Sequence, residues 1–434
     1  MKNNILFCLL FVNVIFSQGF TGFLTDNYAG VHNVINNPAE IVDSYYRTDI
    51  NLASFNIAGS NDYYSFDLFE ALKSGAELND ISTTFPSSNN NLHINYDALG
   101  PSFMMNLTPR SSIAVFSRAR TIIQAADING AYLEDLEGDV NTGYDIKNQN
   151  FSISSNAWAE LGFSYAHILK DSPHHKVKIG VSAKYLVGIY TGYIKANNFS
   201  LNYNPNAINL DEVYSSTGNI ETGNINNFDN VTDPSNFSGS GLALDIGFSY
   251  EYRPQIHYYK YKIAASINDL GYLNYKDTEI KVFDATAQVS ESDFNNLDFE
   301  NFYTLLSSSN SIKMTMPTTF KTQADLNLKN RYFINLSSQF NLVNRTKENA
   351  NYLPNSVFIT PRLQYKWLSL YLPVGYRQFA GTQAGFGFRA GPLVIGSGSI
   401  VSSIFEKTKA VDAYMALKIP VFRKKGTKDD DFFK

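Results

Sequence analysis

Cysteine is almost missing from this chain: its 434 residues include a single one, Cys8. That residue lies in an apolar leader, so a chain trimmed after the leader keeps no thiol. Disulfide scaffolds, iron–sulfur sites and thiol catalysis are thereby excluded. Long hydrophobic runs are missing too. After the leader no stretch reaches about eighteen consecutive apolar residues, so a helical membrane protein is excluded. Charge of one sign is also scarce: the formal net charge is −5, which argues against general nucleic-acid binding. No G-x-S-x-G elbow, phosphate loop or dinucleotide fingerprint occurs. His174 and His175 sit in a short turn with no further ligand type beside them. Asp135, Glu137, Asp139 and Asn141 alternate like a calcium loop, but Val140 stands where such a loop requires glycine. No catalytic residue, metal or cofactor is expected, and the chain does not read as an enzyme.

What the chain has in abundance is alternation. From Gly241 to Glu251, Leu242, Leu244, Ile246, Phe248 and Tyr250 fall on one face of a strand, and Asp245, Gly247, Ser249 and Glu251 on the other. Val177, Ile179, Val181 and Tyr185 alternate in the same way with Lys178, Gly180, Ser182 and Lys184. Val411 to Val421 does so again before Phe422. A soluble sandwich or propeller would meet the apolar face with a second sheet and solvate the other. Fourteen such stretches behind a secretion leader point instead to lipid. The stretches run at 47–58, 92–106, 111–124, 150–169, 176–194, 240–252, 259–270, 317–328, 331–342, 357–365, 368–377, 381–390, 393–404 and 410–422. The expected fold is all-β, a transmembrane antiparallel barrel with an N-terminal plug.

The leader has Lys2, the apolar run Ile5 to Phe16 and small Ser17 before Gln18, so 1–17 reads as a signal peptide. An 18–46 plug segment, a 47–422 barrel and a charged 423–434 tail follow. Short turns such as Thr108-Pro109-Arg110, Lys329-Asn330 and Gly391-Pro392 alternate with connections at 59–91, 125–149, 195–239, 271–316 and 343–356 that read as long loops. An even strand number with short turns on one side puts both termini in the periplasm and the protein in the outer membrane. The loop acids Asp127, Glu134, Asp135, Glu137, Asp139 and Asp145, with Asp211, Glu212, Glu221, Asp229 and Asp233, suggest an acidic mouth. Basic residues including Lys176 and Arg253 fall in or beside the short turns.

The face opposite the lipid carries Arg118, Arg120, Lys178, Lys184, Lys262, Lys321, Arg362, Arg377, Arg389 and Lys418. Glu160, Asp245, Glu251, Asp325 and Asp412 share that face. Ten basic side chains against five acidic ones cannot sit dry and unpaired. Either water fills the lumen or an acidic segment packs against it. The stretch before the first strand is such a segment: it has Asp26, Glu40 and Asp43, no Lys or Arg, and a turn at Asn37-Pro38-Ala39. Pro38 suits the first turn of a short helix.

That Asn37-Pro38-Ala39 turn resembles the hatch signature of the long-chain fatty-acid and aromatic-hydrocarbon transporter barrels. Ser266-Ile267-Asn268-Asp269-Leu270-Gly271 and Met316-Pro317-Thr318-Thr319-Phe320 resemble an uncharacterised Bacteroidota outer-membrane β-barrel family related to that group. The resemblance implies the barrel and its hatch, and uptake of a small, partly hydrophobic solute through a plugged channel. A charged lumen departs from the apolar tunnel such transport implies. The alternative is a non-transporting structural or accessory subunit of an envelope complex. Expected partners are outer-membrane lipid, the barrel-assembly machinery during insertion and other envelope proteins, with no nucleic acid.

Overall fold

A strand with one oily and one polar face can satisfy both surroundings only if its sheet leaves no open edge in the membrane. The computed structural model describes residues 19–422 apart from 74–80, 138–142, 207–212, 225–238, 255–258, 290–298, 330 and 345–348. The leader, the charged tail and, of the loop acids, Asp139, Asp211, Glu212, Asp229 and Asp233 lie outside the described residues.

The strands that form the wall begin with β1 (Tyr46–Asn61), β2 (Asn90–Thr108), β3 (Ser111–Ile128), β4 (Tyr144–Asp171), β5 (His175–Tyr203), β6 (Tyr214–Gly223), β7 (Gly239–Tyr252), β8 (Tyr261–Asp284) and β9 (Thr304–Thr315). They continue with β10 (Thr319–Lys329), β11 (Tyr332–Asn341), β12 (Ser356–Gln364), β13 (Leu368–Tyr371), β14 (Val374–Arg377), β15 (Gly381–Ala384), β16 (Phe386–Ala390), β17 (Leu393–Ser397) and β18 (Ala410–Phe422). Neighbours pair antiparallel, and β18 returns to β1 with Tyr46 opposite Phe422. Four staves are made of two pieces each, β6 with β7, β9 with β10, β13 with β14 and β15 with β16. Among the described residues the closed ring therefore has fourteen staves.

Burial follows the alternation. On β4, Leu161, Phe163 and Tyr165 are 60, 50 and 40% exposed, whereas Glu160 and Ser164 are 3 and 0% exposed. Outward apolar residues on every side of a closed ring make this a transmembrane β-barrel. Aromatic residues gather at the short-turn rim. Trp367 packs on Phe422, and Tyr250, Tyr252 and Tyr261 pack on one another, as at a lipid–water boundary.

Two expectations change. Two of the connections read as long loops, 195–239 and 271–316, are in large part sheet. β4 and β5 are 28 and 29 residues long, well over twice the roughly 9–11 that cross a bilayer. Their upper ends join β6, the end of β8 and β9 in an extension beyond the mouth. Ile146, Phe199, Leu201, Tyr203, Ile220, Phe283, Phe299 and Tyr303 bury one another there, so these strands find an apolar partner without lipid. The 393–404 stretch, expected as one strand, is strand only to Ser397 and then becomes a short helix, Ile400–Phe405. Asp412 turns the chain by accepting hydrogen bonds from Ser397 Oγ, Ser399 Oγ and the Gly398 amide.

Candidate functional site

The residues before β1 have too little apolar alternation to join the wall, and they form three short 3-10 helices, Phe23–Thr25, Gly30–Ile35 and Pro38–Ile41. The segment's side chains reach strands from every quarter of the ring, which puts it inside. Phe20, Phe23, Tyr28, Val31 and Val34 bury against Tyr46, Phe116, Tyr371 and Tyr414. No strand ladder ties the segment to the wall. Its attachments are apolar contacts and polar side-chain bonds.

Asn37-Pro38-Ala39 is the tightest of these. The Asn37 side-chain oxygen accepts from the Ala39 amide at 3.0 Å and caps the third turn, with Pro38 in the first helical position. Its amide nitrogen donates to the carbonyls of Phe248 and Ala265 at 3.1 and 3.2 Å. The turn rests on two glycines that face each other across β5 and β7, Gly180 and Gly247. A Cβ on Gly180 would lie 2.4 Å from the Ala39 amide nitrogen, and one on Gly247 would lie 2.1 Å from Asn37 Oδ1. These strand glycines make room for the turn.

The three carboxylates of the segment each meet a cation of the wall. Asp26 lies 3.2 Å from Arg389 Nε and also accepts from the Tyr371 hydroxyl. Glu40 lies 2.9 Å from Lys262 and 3.7 Å from Lys178. Asp43 accepts from Lys176 at 2.5 Å and from Arg253 at 3.1 Å. Burial alone would raise the carboxyl groups of Asp26 and Glu40. For Asp26 the guanidinium of Arg389, the hydrogen bonds from the Tyr371 hydroxyl and the Tyr28 amide and the charge of Arg362 together outweigh it, and Lys178 with Lys262 does so for Glu40, so both are held below the ordinary carboxylate range. His32 is buried against Phe20 and Phe23, and its Nε2 lies 2.8 Å from Ser54 Oγ. Burial first and the charge of Lys418 second push it well below its ordinary value, so it stays neutral.

Wall cations also bond the segment's backbone. Lys418 donates to the carbonyls of Tyr28 and Ala29 at 3.0 and 3.1 Å, and Lys321 to that of Ile35 at 3.0 Å. Arg362 donates to the Thr25 carbonyl and pairs with Asp325 at 2.8 Å. On the long-connection side a second layer crosses the lumen without the segment. Arg118 grips Asp97 through two bonds of 2.7 Å. Arg120 meets Asp269 at 2.8 Å and Glu160 at 3.5 Å, and Lys184 bridges Asp245 and Asp269 at 2.7 and 2.5 Å. Arg377 and Asp412 lie further along the wall. Arg377 makes no ion pair among the described residues, and Asp412 is occupied by the turn at Ser397–Ser399.

The expectation of a strongly basic lumen is corrected here. Lys176 and Arg253, read as turn residues, point inward and join the ten basic residues expected. Three carboxylates of the wall that had not been counted, Asp49, Asp97 and Asp269, join the five acids, as do Asp26, Glu40 and Asp43. The inventory becomes twelve basic side chains against eleven carboxylates. Asp269 was hidden by a bulge: at φ 60° it breaks the alternation between Ile267 and Leu270, so it and Asn268 both face inward. Asp49 precedes another break, between Asn51 and Ala53. His93 is buried, with Nε2 2.8 Å from the Tyr352 carbonyl.

Several solved structures are similar in fold. A mutant of the monoaromatic hydrocarbon channel TodX shares 10% identity over 90% of this chain and 93% of its own, with a TM-score of 0.45. The toluene transporter TbuX of Ralstonia pickettii shares 8% over 91% and 95%, with a TM-score of 0.35. The translocator domain of the autotransporter NalP from Neisseria meningitidis shares 7% over 91% and 92%, with a TM-score of 0.36. No curated protein sequence matches the chain. One family model matches residues 38–398, from the proline of the Asn37-Pro38-Ala39 turn to the last residues of the wall before the short helix, and the chain belongs to that family of unknown function, DUF5723.

Proposed function

We propose that this is an outer-membrane barrel with both termini on the periplasmic side, a plugged channel that takes up a small, partly hydrophobic solute. Residues 18–46 act as the plug. The observation that carries the reading is how residues 19–45 are attached: apolar contacts and side-chain bonds hold them, and no strand pairing does. A piece held that way can shift without breaking the sheet, whereas a paired strand could not. Changing Asp26→Asn, Glu40→Gln and Asp43→Asn together should raise single-channel conductance in planar bilayers severalfold. Unchanged conductance, with the segment still protected from protease, would rule out these carboxylates as its latch.

A second reading, a non-transporting accessory subunit of an envelope complex, is favoured by the layer Asp97–Arg118–Glu160–Arg120–Asp269–Lys184–Asp245. That layer would obstruct the path even with the plug displaced. Purification from native membranes in mild detergent separates the two. A stoichiometric partner on a non-conducting barrel supports the subunit, and a lone barrel with solute flux supports the channel.

A further inference from the structure

Arg377 stands apart from the other charges of the lumen. Of the six buried arginines among the described residues, Arg118, Arg120, Arg253, Arg362 and Arg389 each have a carboxylate oxygen within 3.2 Å. Arg377 is 0% exposed, and none of its three guanidinium nitrogens has a hydrogen-bond partner among the described residues. The acid that acts on it electrostatically is Asp412, whose two oxygens are already taken by Ser397, Gly398 and Ser399. An arginine cannot shed its charge as a buried lysine can, so an acceptor has to come from elsewhere. Unpaired ions inside a membrane protein mark functional positions.

The surroundings define what would fit. Arg377 ends β14 opposite Ser356 and Gly381, on the long-connection side of the plug. The buried Phe358 ring covers the guanidinium, with its centroid 5.5 Å from Cζ. Stacking of that kind leaves the in-plane N–H fork free. The next turn carries Phe379, whose ring lies 6.4 Å from that of Tyr352, and the Tyr352 ring lies 5.5 Å from His93. A planar oxyanion matches the fork with two parallel bonds, and the Phe358 ring offers an apolar face beside it.

We propose that Arg377 anchors a binding site for a small carboxylate with an aryl or short apolar tail, in the outer half of the lumen. The site goes beyond the channel reading and does not depend on it, because a closed barrel can bind without flux.

The probe is benzoate, titrated calorimetrically into the full chain in detergent, with neutral benzamide, acetate and inorganic phosphate as comparisons. Saturable binding of one benzoate, with benzamide inert, is expected. Arg377→Gln should weaken it by about tenfold to a hundredfold, from the loss of one or two charge-assisted bonds. Arg377→Lys, which keeps the charge without the fork, should fall between. If Arg377→Gln fails to fold, 4-bromobenzoate in crystals of the unaltered protein decides, with the bromine expected beside Phe358. Absence of saturable binding, equal affinity for benzamide or bromine at another place would overturn the site. Equal affinity for phosphate or acetate would overturn the apolar tail. A barrel that binds benzoate but passes no solute would keep this inference and end the channel reading.

Discussion

Around the plug, the lumen is held by ion pairs and backbone bonds, each made by a named pair: Asp26 with Arg389, Glu40 with Lys262, Lys418 with Asp49. Beyond the mouth, the upper halves of β4 and β5 with β6 and β9 are held by aromatic and aliphatic side chains, among them Phe199, Leu201, Phe283 and Tyr303. The two regions respond to damage differently. An apolar cluster spreads its stabilisation over many small contacts and loses it by increments. A buried ion is stable only with its particular partner, and removing one member strands the other. The polar half is therefore specific and switchable, and the apolar half is tolerant.

Replacing one member of a dry pair should have the largest effect. Arg362 and Asp325 both have fully buried side chains. Arg362→Met should cost about 3–5 kcal/mol in reversible unfolding, and adding Asp325→Leu should return most of it. A loss under about 1 kcal/mol in the single variant would mean that the carboxylate finds water. In the extension, Leu201→Ala should cost about 2–3 kcal/mol and act locally. Hydrogen exchange should rise in 214–223 and 280–284 while 30–41 stays protected. Faster exchange in both regions would mean that they unfold as one unit and would end the contrast.

Gly247→Val tests the seat of the turn. The added Cβ meets Asn37 Oδ1 at 2.1 Å, and overpacking of this kind costs about 1–3 kcal/mol. The plug should become protease-sensitive with the wall intact.

Acidification should give the smallest and most selective effect. The docked His32 holds its proton less tightly than a free histidine of pKa 6.5, so docking weakens as pH falls below that value. Asp26 and Glu40 are depressed below free values of 3.8 and 4.5. Their contribution is complete above those values and is lost as pH falls through the lower docked ones. Conductance should thus rise on acidification while exchange in the extension holds constant. His32→Gln should remove the limb that begins near pH 6.5.

Much of the wall was legible because lipid imposes one rule on every stave. Leu161, Phe163 and Tyr165 had to alternate with Glu160, Gly162 and Ser164, and the same rule turned Arg118, Lys184, Asp245 and Arg389 inward. Legibility failed where a strand stops obeying that rule. The Ile267–Leu270 bulge concealed Asp269, and the extension strands carry apolar residues for one another, so their segments looked like loops. Gly180 and Gly247 were visible only as small residues, because the turn they support lies more than a hundred positions away.

The sequence by itself determined the barrel, the inward charges and the acidic segment before β1, since alternation and local turn chemistry need only near neighbours. Tertiary structure alone decided which carboxylate meets which cation, that the lumen is nearly neutral, and that Arg377 makes no ion pair among the described residues. Those outcomes depend on which staves face each other across the lumen and on single bulges that shift a side chain by one position, and a linear pattern encodes neither.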